Sequence, residues 1–267
     1  MSDLKFSIII CCYNSKSHIK QTILSIINQD YKNFEIILVD DGSSDNTLEI
    51  IRDFEKKYNN IKVFSNDNMG LGYSRNYAID KAQFDWIVFL DHDDISLPNR
   101  LSVNCDIIKE NKNINLIFSD AIYFNNSQSY SRFDKSYNYL KVYPYELDLS
   151  KNNGYLNLLK YGCFIASSSV TINKKTYLQT SGFNNNYKFL TDYVFFLEIS
   201  KISDIYCYKY PLVKWRMHSS QSSEKNTDTY YLEMCKLYLN LYFDKSINFS
   251  LKLSLLSRNM VFFLKYL

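Results

Sequence analysis

The feature that most constrains the fold is a repeated order of apolar run, polar break and helical pattern in the first half of the chain. The first run, Phe6 to Cys12, is almost entirely apolar, which is typical of a strand buried on both faces of a sheet. Similar runs predict strands at Phe34 to Val39, Ile61 to Phe64 and Trp86 to Leu90. Strands that alternate with helices at this spacing predict a parallel sheet flanked by helices on both faces.

The helices between these strands are predicted from apolar residues at helical spacing and from residues that begin helices. Ile19 and Ile23 belong to the apolar stripe of the first helix, and Ser43 to Asp45 supply N-cap chemistry for the second. The third helix is predicted over Tyr73 to Lys81. Pro98 is expected in the first turn of the fourth, where proline is tolerated.

The second half of the chain has a less regular pattern. Residues 125–153 are polar and rich in tyrosine and predict loops. After them we expect three strands and two helical segments: strands at Ser168 to Ile172, Ile205 to Tyr208 and Val213 to Met217, a helix at Thr191 to Lys201, and helical structure from Thr227 to Leu267. The chain has no Gly/Ser/Pro-rich linker, so the pattern does not support independent domains.

The composition excludes several classes of protein. The chain is 46% hydrophobic and 22% charged, as in ordinary globular proteins, and its formal net charge of +3 with no basic block argues against a nucleic-acid partner. Its six cysteines form no CxxC pair, which favours a reduced protein over a disulfide framework or zinc site. No signal-peptide core and no apolar stretch of about 20 residues is present. We therefore expect a cytoplasmic protein.

Polar residues collect where three of the predicted strands end. Tyr13 follows the first strand, Asp40 and Asp41 follow the second, and a run from Asp91 to Asp94 follows the fourth. Open parallel sheets bind ligands at this edge. The carboxylates after the fourth strand repel one another unless a cation neutralises them, and hard oxygen ligands suit Mg²⁺ or Mn²⁺ bridged to phosphates. A solvated acidic loop is the alternative, but three aligned strand ends favour a metal–nucleotide site.

Four motifs at these positions carry a family resemblance. SIIICCYN, VDDGSSD, NMGLGYSRN and FLDHDD, in this order and spacing, resemble the nucleotide-sugar-binding half of family-2 glycosyltransferases with the GT-A fold. SGFNNNYKFLTDYVFFLE and WRMHSSQSS extend the resemblance, which covers Phe6 to Ser223. Two positions depart from the usual pattern. Cys11-Cys12 replace a small hydroxylic or prolyl residue, and Thr191-Asp192 stand where Glu-Asp is common.

The resemblance implies an α/β fold of GT-A type, with a mainly parallel sheet flanked by helices and a helical C-terminal appendage. Residues 1–223 would form the catalytic domain, with 1–120 as the nucleotide-sugar-binding half and 121–223 as the acceptor and catalytic half. Residues 224–267 would form a C-terminal helical extension. Its apolar and basic residues would pack on the domain, form a homodimer or lie on the inner face of the cell membrane, and packing or dimerisation is the commoner outcome.

The donor side of the implied site is assigned to five residues. Tyr13 offers a flat ring on which uracil could stack, and Asp41 or its neighbour Asp40 could accept the hydrogen of the imide. Asn14 is placed beside them. Arg75 follows the Gly70-Leu71-Gly72 turn and would reach the base, ribose or phosphate. The resemblance therefore implies a UDP-sugar donor.

The metal and the catalytic base are assigned to four further residues. Asp93 would coordinate Mn²⁺ or Mg²⁺ directly, Asp91 would bind the ribose or the metal, and His218 would approach the metal or the diphosphate. Asp192 would take the proton from the acceptor hydroxyl. A structural histidine and an acid that stabilises the helix dipole are the alternatives for His218 and Asp192.

The implied function is an inverting transfer of a hexose or N-acetylhexosamine from a UDP-sugar to an acceptor hydroxyl. A bacterial surface glycan is the expected acceptor: a glycan or lipid-linked glycan of lipo-oligosaccharide, capsule or glycoprotein. A haloacid-dehalogenase-like phosphatase would instead use Asp91 as nucleophile and Asp93 as acid, although three strand–helix units precede the pair. A dinucleotide oxidoreductase lacks the third glycine of GxGxxG, and a carbohydrate-binding module has no use for a metal–diphosphate site.

Overall fold

The computed structural model describes residues 3–125, 128–131, 144–218, 227–245, 247, 249 and 252. The strands in these residues are β1 (Phe6–Cys12), β2 (Phe34–Asp40), β3 (Ile61–Ser65), β4 (Trp86–Phe89), β5 (Ile95–Ser96), β6 (Leu116–Phe124), β7 (Ser129–Ser131), β8 (Thr171–Asn173) and β9 (Ile205–Arg216). The helices are α1 (Ile19–Ile27), α2 (Thr47–Lys57), α3 (Leu71–Lys81), α4 (Arg100–Glu110), α5 (Asn153–Tyr161), α6 (Lys174–Tyr177), α7 (Thr191–Ser200) and α8 (Thr227–Tyr242). Short 3₁₀ turns lie at Pro144–Glu146 and Ser167–Ser169.

The described strands form one sheet in the order β3-β2-β1-β4-β8-β6-β9-β5, with β7 paired to β6. The first four strands along the chain are mutually parallel, as the sequence predicts. The second half of the chain adds β9 parallel to β6, while β8 and β5 pair antiparallel to their neighbours. The expected α/β sheet flanked by helices is confirmed, and antiparallel strands extend it.

The central strand β1 has a hydrophobic core on each side. Ile8 and Ile10 pack in a cluster with α1, α2 and α4, whereas Ile9 and Cys11 belong to a larger cluster that includes α3, α5 and α7. All seven β1 residues are buried. This double burial explains why the strand is apolar almost throughout rather than alternating. It also holds the strand's carboxyl end, where the predicted site begins, at a fixed position.

One long strand replaces the two strands predicted at residues 205–208 and 213–217. β9 runs continuously over twelve residues. Its pairing with β6 shifts where Ser119 lies opposite Tyr208 and Asp120 lies opposite Pro211. Proline has no backbone N–H to donate and is tolerated in a strand at such an irregularity. The sequence around Pro211 therefore predicts a break where the structure has a bulge.

Four further features differ from the expectations. β6 was not predicted, because buried Ser119 and Asp120 interrupt its apolar pattern, and neither was α5. Ser168 lies in a 3₁₀ turn, and the strand predicted over Ser168 to Ile172 begins only at Thr171. Pro98 precedes α4 by two residues instead of lying in its first turn.

The helix α8 packs against the rest of the chain. Met234, Leu237, Tyr238 and Leu241 are buried in the same core cluster as α5 and α7. The predicted domain boundary after residue 223 lies outside the described residues and stays a prediction, as does the helical pattern at residues 253–267. Among the described helices, none is long and apolar enough to cross a membrane.

Candidate functional site

The carboxyl ends of β1, β2 and β4 meet at one edge of the sheet. The Asp41 backbone N–H donates to the Cys12 carbonyl oxygen at 2.8 Å, so the two loops leave the sheet side by side. Gly42 turns the second loop with a φ of +75°, and a Cβ there would lie 2.8 Å from the Asn68 nitrogen. Only glycine fits this close approach. Gly42 therefore serves the turn that brings the loop after β2 against Asn68.

The first loop presents an aromatic ring next to a polar turn. The Tyr13 side chain is 45% exposed. Asn14, at a φ of +50°, accepts hydrogen bonds from the Ser44 backbone N–H at 2.8 Å and from the Ser44 hydroxyl at 3.2 Å. The Asn14 carbonyl oxygen thus joins the loops after β1 and β2. Its amide nitrogen is the side-chain group left for a ligand.

The two acids at the end of β2, Asp40 and Asp41, are buried and have different partners. The Asp41 oxygens accept the backbone N–H groups of Met69 and Gly70, each at 2.8 Å. One Asp40 oxygen accepts the Ser43 N–H at 3.1 Å, and the other is buried with no hydrogen-bond partner among the described residues. Asp41 holds the loop before α3 in place. Asp40 carries the unsatisfied acceptor of the pair.

Arg75 occupies the centre of the site. Its side chain is 3% exposed and donates to Asp91 at 2.8 Å and to Asp192. Its guanidinium also lies over the Phe183 ring, 5.2 Å from the centroid. Burial opposes its charge, but the carboxylates of Asp192 and Asp91 raise the pKa of Arg75. The structure thus brings together three residues that the sequence places in different motifs.

The acids after β4 crowd together. Desolvation raises the pKa of Asp91, and the charges of Asp192 and Asp93 add to the rise while Arg75 opposes it. Burial also raises the pKa of Asp94 well above its ordinary value, helped by Asp93 and Asp91. Asp94 is internal and accepts the Ser168 hydroxyl and, at 2.9 Å, the Arg216 backbone N–H. Asp91 and Asp93 are the carboxylates left for a cation.

Two of the three residues predicted to bind the metal are in contact with each other. His218 Nε2 lies 2.9 Å from Asp93 Oδ2, while Asp91 is held by Arg75. The described residues contain no preformed group of three or more His, Cys, Asp or Glu side chains suited to a metal. Two carboxylates and an imidazole nevertheless match the ligand preferences of Mn²⁺. Mg²⁺ and Mn²⁺ sites of nucleotide enzymes commonly take their other ligands from phosphate and water, so the donor set fits such an ion.

Asp192 lies in the first turn of α7 but does not cap that helix. One of its oxygens accepts from Arg75 and the other accepts the Ser167 hydroxyl at 2.5 Å. The N-cap position, Leu190, makes no side-chain cap. The Asp192 carboxylate therefore points away from the helix amides towards Arg75.

The chain before α7 is held by a residue that the sequence reasoning missed. Glu233 of α8 accepts the backbone N–H groups of Lys188, Phe189 and Leu190 at 2.6, 2.9 and 3.0 Å. Leu190 is the N-cap residue of α7, and its amide has no hydrogen-bond partner within the helix. Glu233 lies about forty residues beyond Asp192 in a helical pattern, and nothing local to it in the sequence indicates this contact.

Ser167 and Ser168 are two other contacts that the sequence reasoning missed. They bind Asp192 and Asp94, respectively, and Ser168 also accepts the Asp91 backbone N–H at 3.1 Å. The sequence predicts that Ser168 and Ser169 begin a strand, whereas they lie with Ser167 in a 3₁₀ turn. A polar run on an otherwise apolar strand is the signal that could have indicated a site.

Asp192 lines a cleft, and we call this cleft the Asp192 cleft. Its volume is about 280 Å³. It lies between the end of β4, the Ser167–Ser169 turn, the beginning of α7, β9 and α8. The residues that line it include Asp91, Ser167, Phe189, Asp192, Trp215 and Tyr230.

Structures of known proteins share this fold. TarS of S. aureus in complex with UDP-GlcNAc matches with a TM-score of 0.72 at 20% identity, over 96% of this chain and 72% of that chain. A mannosyltransferase from Pyrobaculum calidifontis in complex with GDP-Man and Mn²⁺ matches with a TM-score of 0.59 at 15% identity, over 89% of this chain and 61% of that chain. The expected GT-A fold is confirmed.

Sequence relatives are bacterial glycosyltransferases. An uncharacterized glycosyltransferase of Rickettsia conorii is 32% identical over 221 residues, which are 82% of this chain and 35% of that protein. One from Haemophilus influenzae is 29% identical over 220 residues, which are 81% of this chain and 67% of that protein. The chain thus spans about a third of the first relative's length and about two thirds of the second's.

The family model for glycosyl transferase family 2 matches residues 7–179. The match includes every residue predicted for the donor and the Asp91–Asp93 pair, and it ends before Asp192 and His218. It decides against the haloacid-dehalogenase alternative, which assigned Asp91 and Asp93 to a different chemistry. Since the matched segment is well over half of the chain and the sheet has the corresponding GT-A arrangement, this chain belongs to glycosyl transferase family 2.

Proposed function

We propose that this chain transfers a hexose or an N-acetylhexosamine from a UDP-sugar to an acceptor hydroxyl, with inversion at the anomeric carbon. The observation that carries the proposal is the pair of ion pairs made by Arg75. They join Asp91 at the predicted donor site to Asp192 in the Asp192 cleft. One buried cation thereby sets the distance between the place of the diphosphate and the proposed base. A bond that forms on one side of a sugar and breaks on the other needs such fixed geometry.

The donor would bind across the loops that follow β1 and β2. The exposed Tyr13 ring offers a face for the base, and the unsatisfied Asp40 oxygen supports an acceptor for the imide hydrogen in this corner. Asp41 has both oxygens engaged, although each carboxylate oxygen can accept a second hydrogen bond. Asn14 keeps its amide nitrogen as a donor. TarS forms a complex with UDP-GlcNAc, which supports a UDP-sugar here.

Asp91, Asp93 and His218 would hold Mn²⁺ or Mg²⁺. Burial raises the pKa of Asp91 and Asp94, and the neighbouring carboxylates add to the rise, so a cation that neutralises this crowded charge would be favoured there. A bound cation would neutralise the negative charge that grows on the diphosphate as the glycosidic bond breaks. The Mn²⁺ complex of the Pyrobaculum mannosyltransferase supports this assignment.

Asp192 would act as the general base. It lines the Asp192 cleft, and its oxygens retain lone pairs beside the Arg75 and Ser167 contacts. An acceptor hydroxyl beside it would lose its proton to Asp192 as its oxygen attacks the anomeric carbon, while the UDP leaves from the opposite face. This in-line geometry predicts inversion.

Calorimetry of UDP, GDP, CDP and dTDP, each with Mn²⁺ and again with EDTA, tests the donor assignment. We expect UDP to bind most tightly and the affinity to fall when Mn²⁺ is removed. Tighter binding of GDP would overturn the assignment, and equal binding of dTDP would widen it to both pyrimidines. A screen of UDP-sugars for Mn²⁺-dependent hydrolysis then identifies the sugar, and proton NMR of the transfer product reports the anomeric configuration.

The acceptor proposed is a glycan or lipid-linked glycan of the bacterial surface, reached from the cytoplasm. Exposed Leu232 and Leu239 lie seven residues apart on α8, which places them on one face of the helix, and exposed Phe243 follows directly after its last residue. That face supports peripheral contact with the membrane or a homodimer. Flotation with anionic vesicles tests the membrane contact, and light scattering in solution tests the homodimer. A monomer that does not bind vesicles would overturn both alternatives.

A further inference from the structure

The Asp192 cleft has no positive charge among the described residues that line it. Three of them, Asp91, Asp94 and Asp192, are acids, and none is Lys, Arg or His. The nearby Arg75 is 3% exposed and already bridges Asp91 and Asp192. An acceptor that carried a carboxylate or phosphate into this cleft would meet like charge with no counter-cation among the described side chains that line it, and an unpaired desolvated anion is strongly disfavoured.

The lining of the cleft also includes aromatic residues. Trp215 of β9, Tyr230 of α8 and Phe189 before α7 line it. Aromatic faces bury apolar surface, and a Tyr or Trp adds a polar edge. A pyranose ring has a matching character, because one face exposes C–H groups while its hydroxyls point outwards. The wall is therefore suited to a sugar ring more than to an extended polar chain.

The size of the cleft limits the occupant. Its volume of about 280 Å³ is near the lower end of the range of small-ligand pockets, roughly 300–1,000 Å³. One sugar ring fits, with the remainder of a longer acceptor left outside. A hydroxyl of that ring would then lie beside Asp192.

We propose that the acceptor unit bound in the Asp192 cleft is a single uncharged pyranose that packs on Trp215 and Tyr230. The inference rests on the proposed role of Asp192 as base. It defines the acceptor class: neutral hexosides and N-acetylhexosaminides bind and react, whereas glycosiduronic acids and sugar phosphates are rejected at this position.

Trp215 provides a direct binding test. The chain has only two tryptophans, and the other, Trp86, is buried in the sheet core. With UDP and Mn²⁺ present, and UDP binding measured first in the same sample, methyl glucoside, methyl galactoside and methyl N-acetylglucosaminide are titrated beside methyl glucuronide. At least one neutral glycoside should give a saturable change in fluorescence that is absent in Trp215→Phe, and the glucuronide should bind at least about tenfold more weakly.

The outcomes separate this inference from the proposed function. If UDP fails to bind, the proposed function is at fault. If UDP binds and the glucuronide responds as strongly as the neutral glycosides, or no neutral glycoside gives a saturable response, the acceptor inference is overturned.

A charge exchange on the cleft wall tests the same idea by kinetics. Tyr230 is 40% exposed on α8, and Tyr210 of β9 is 55% exposed and does not line the cleft. Octyl glucoside and octyl glucuronide differ only at C6, and UDP release is measured with each. Tyr230→Ala should raise the KM for octyl glucoside about tenfold, with a smaller effect on the donor KM. Tyr230→Arg should shift the preference about tenfold towards the glucuronide.

The control, Tyr210→Arg, adds the same charge outside the cleft and should leave the preference unchanged. An equal shift in Tyr210→Arg and Tyr230→Arg, or no shift in either, would overturn the proposed neutral subsite.

Discussion

The donor side and the catalytic side of this molecule are assembled in different ways. On the donor side, every predicted residue except Arg75 lies at the end of a strand or within a few residues after it, and the loops hold one another, as when Asn14 binds Ser44 thirty residues away. On the catalytic side, Asp192 contacts Arg75 at a separation of 117 residues, and its helix is held by Glu233 at separations of 43 to 45. The donor site follows from strand ends. The proposed base depends on tertiary contacts.

Arg75 connects the two regions. It comes from α3 on the donor side and binds both Asp91 and Asp192. If the donor side and the catalytic side are separate in this way, substitutions on the donor side alter nucleotide binding and substitutions on the catalytic side alter turnover. Substitution of Arg75 then alters both. The following predictions test this division, beginning with the largest effect.

Asp192→Asn should separate chemistry from donor binding. The amide keeps the size of the side chain but removes its basicity, so turnover should fall by a factor on the order of 10²–10⁴, while UDP affinity changes little. The measurements are steady-state kinetics with a neutral acceptor and calorimetry of UDP. Ser167→Ala is the control, because it removes only a hydrogen bond to Asp192 and should cost far less. Loss of UDP binding in Asp192→Asn would place the residue in the donor site.

Asp93→Ala should act on the donor side alone. Even an outer-shell partner of a metal typically contributes 10–100-fold to metal affinity, so removal of a direct ligand should weaken Mn²⁺-dependent UDP binding by at least about 100-fold. The fold should survive, as judged by circular dichroism. Asp53→Ala is the matched control, since Asp53 is an exposed acid paired with Lys56 on α2. Metal-dependent affinity that persists in Asp93→Ala would move the metal elsewhere.

Arg75→Lys should affect the donor side and the catalytic side together. A lysine keeps the charge but lacks the planar fork that reaches two carboxylates at once. A lost hydrogen bond between charged groups costs about 1.5–3 kcal/mol, and the partial exposure of Asp91 and Asp192 reduces this through screening. We expect both UDP affinity and turnover to fall, each by roughly tenfold. A change in only one of them would show that Arg75 belongs to one side.

The same contrast explains how much the sequence could predict. The first four strands were predicted to within about one residue, because each is an apolar run with polar residues at its end. The residues at those ends were therefore identifiable. β6 was missed because Asp120 and Ser119 are polar yet buried, and β9 was divided because Pro211 lies at a bulge. Such positions are decided by the neighbouring strand, which a local pattern does not contain.

Prediction of the catalytic side went as far as the family resemblance allowed. The local pattern left Asp192 as either a helix-terminal acid or a base. In the structure the Asp192 carboxylate accepts hydrogen bonds from Arg75 and Ser167, away from the helix amides. Glu233 satisfies amides just before the helix instead. Neither contact has a local signature, because the partners come from separate parts of the chain.

Glu233→Gln should produce the smallest effect of the four and the one most specific to the catalytic side. Both carboxylate oxygens of Glu233 accept backbone N–H groups, and a glutamine would turn its own N–H₂ group towards one set of these donors. A buried donor left without a partner costs about 1–3 kcal/mol, so the free energy of unfolding should fall by that amount in urea titrations.

The same substitution should also move the beginning of α7, and with it Asp192, relative to Arg75. Because reaction rates are sensitive to small displacements of catalytic groups, we expect turnover to fall by about threefold to tenfold, with UDP affinity unchanged. Glu49→Gln is the matched control: Glu49 is exposed in the first turn of α2, and its carboxylate accepts a hydrogen bond from the exposed Asn46 side chain. If Glu233→Gln lowers stability but leaves turnover at the wild-type value, α8 supports the fold without positioning the base, and the catalytic side depends less on distant contacts than we infer.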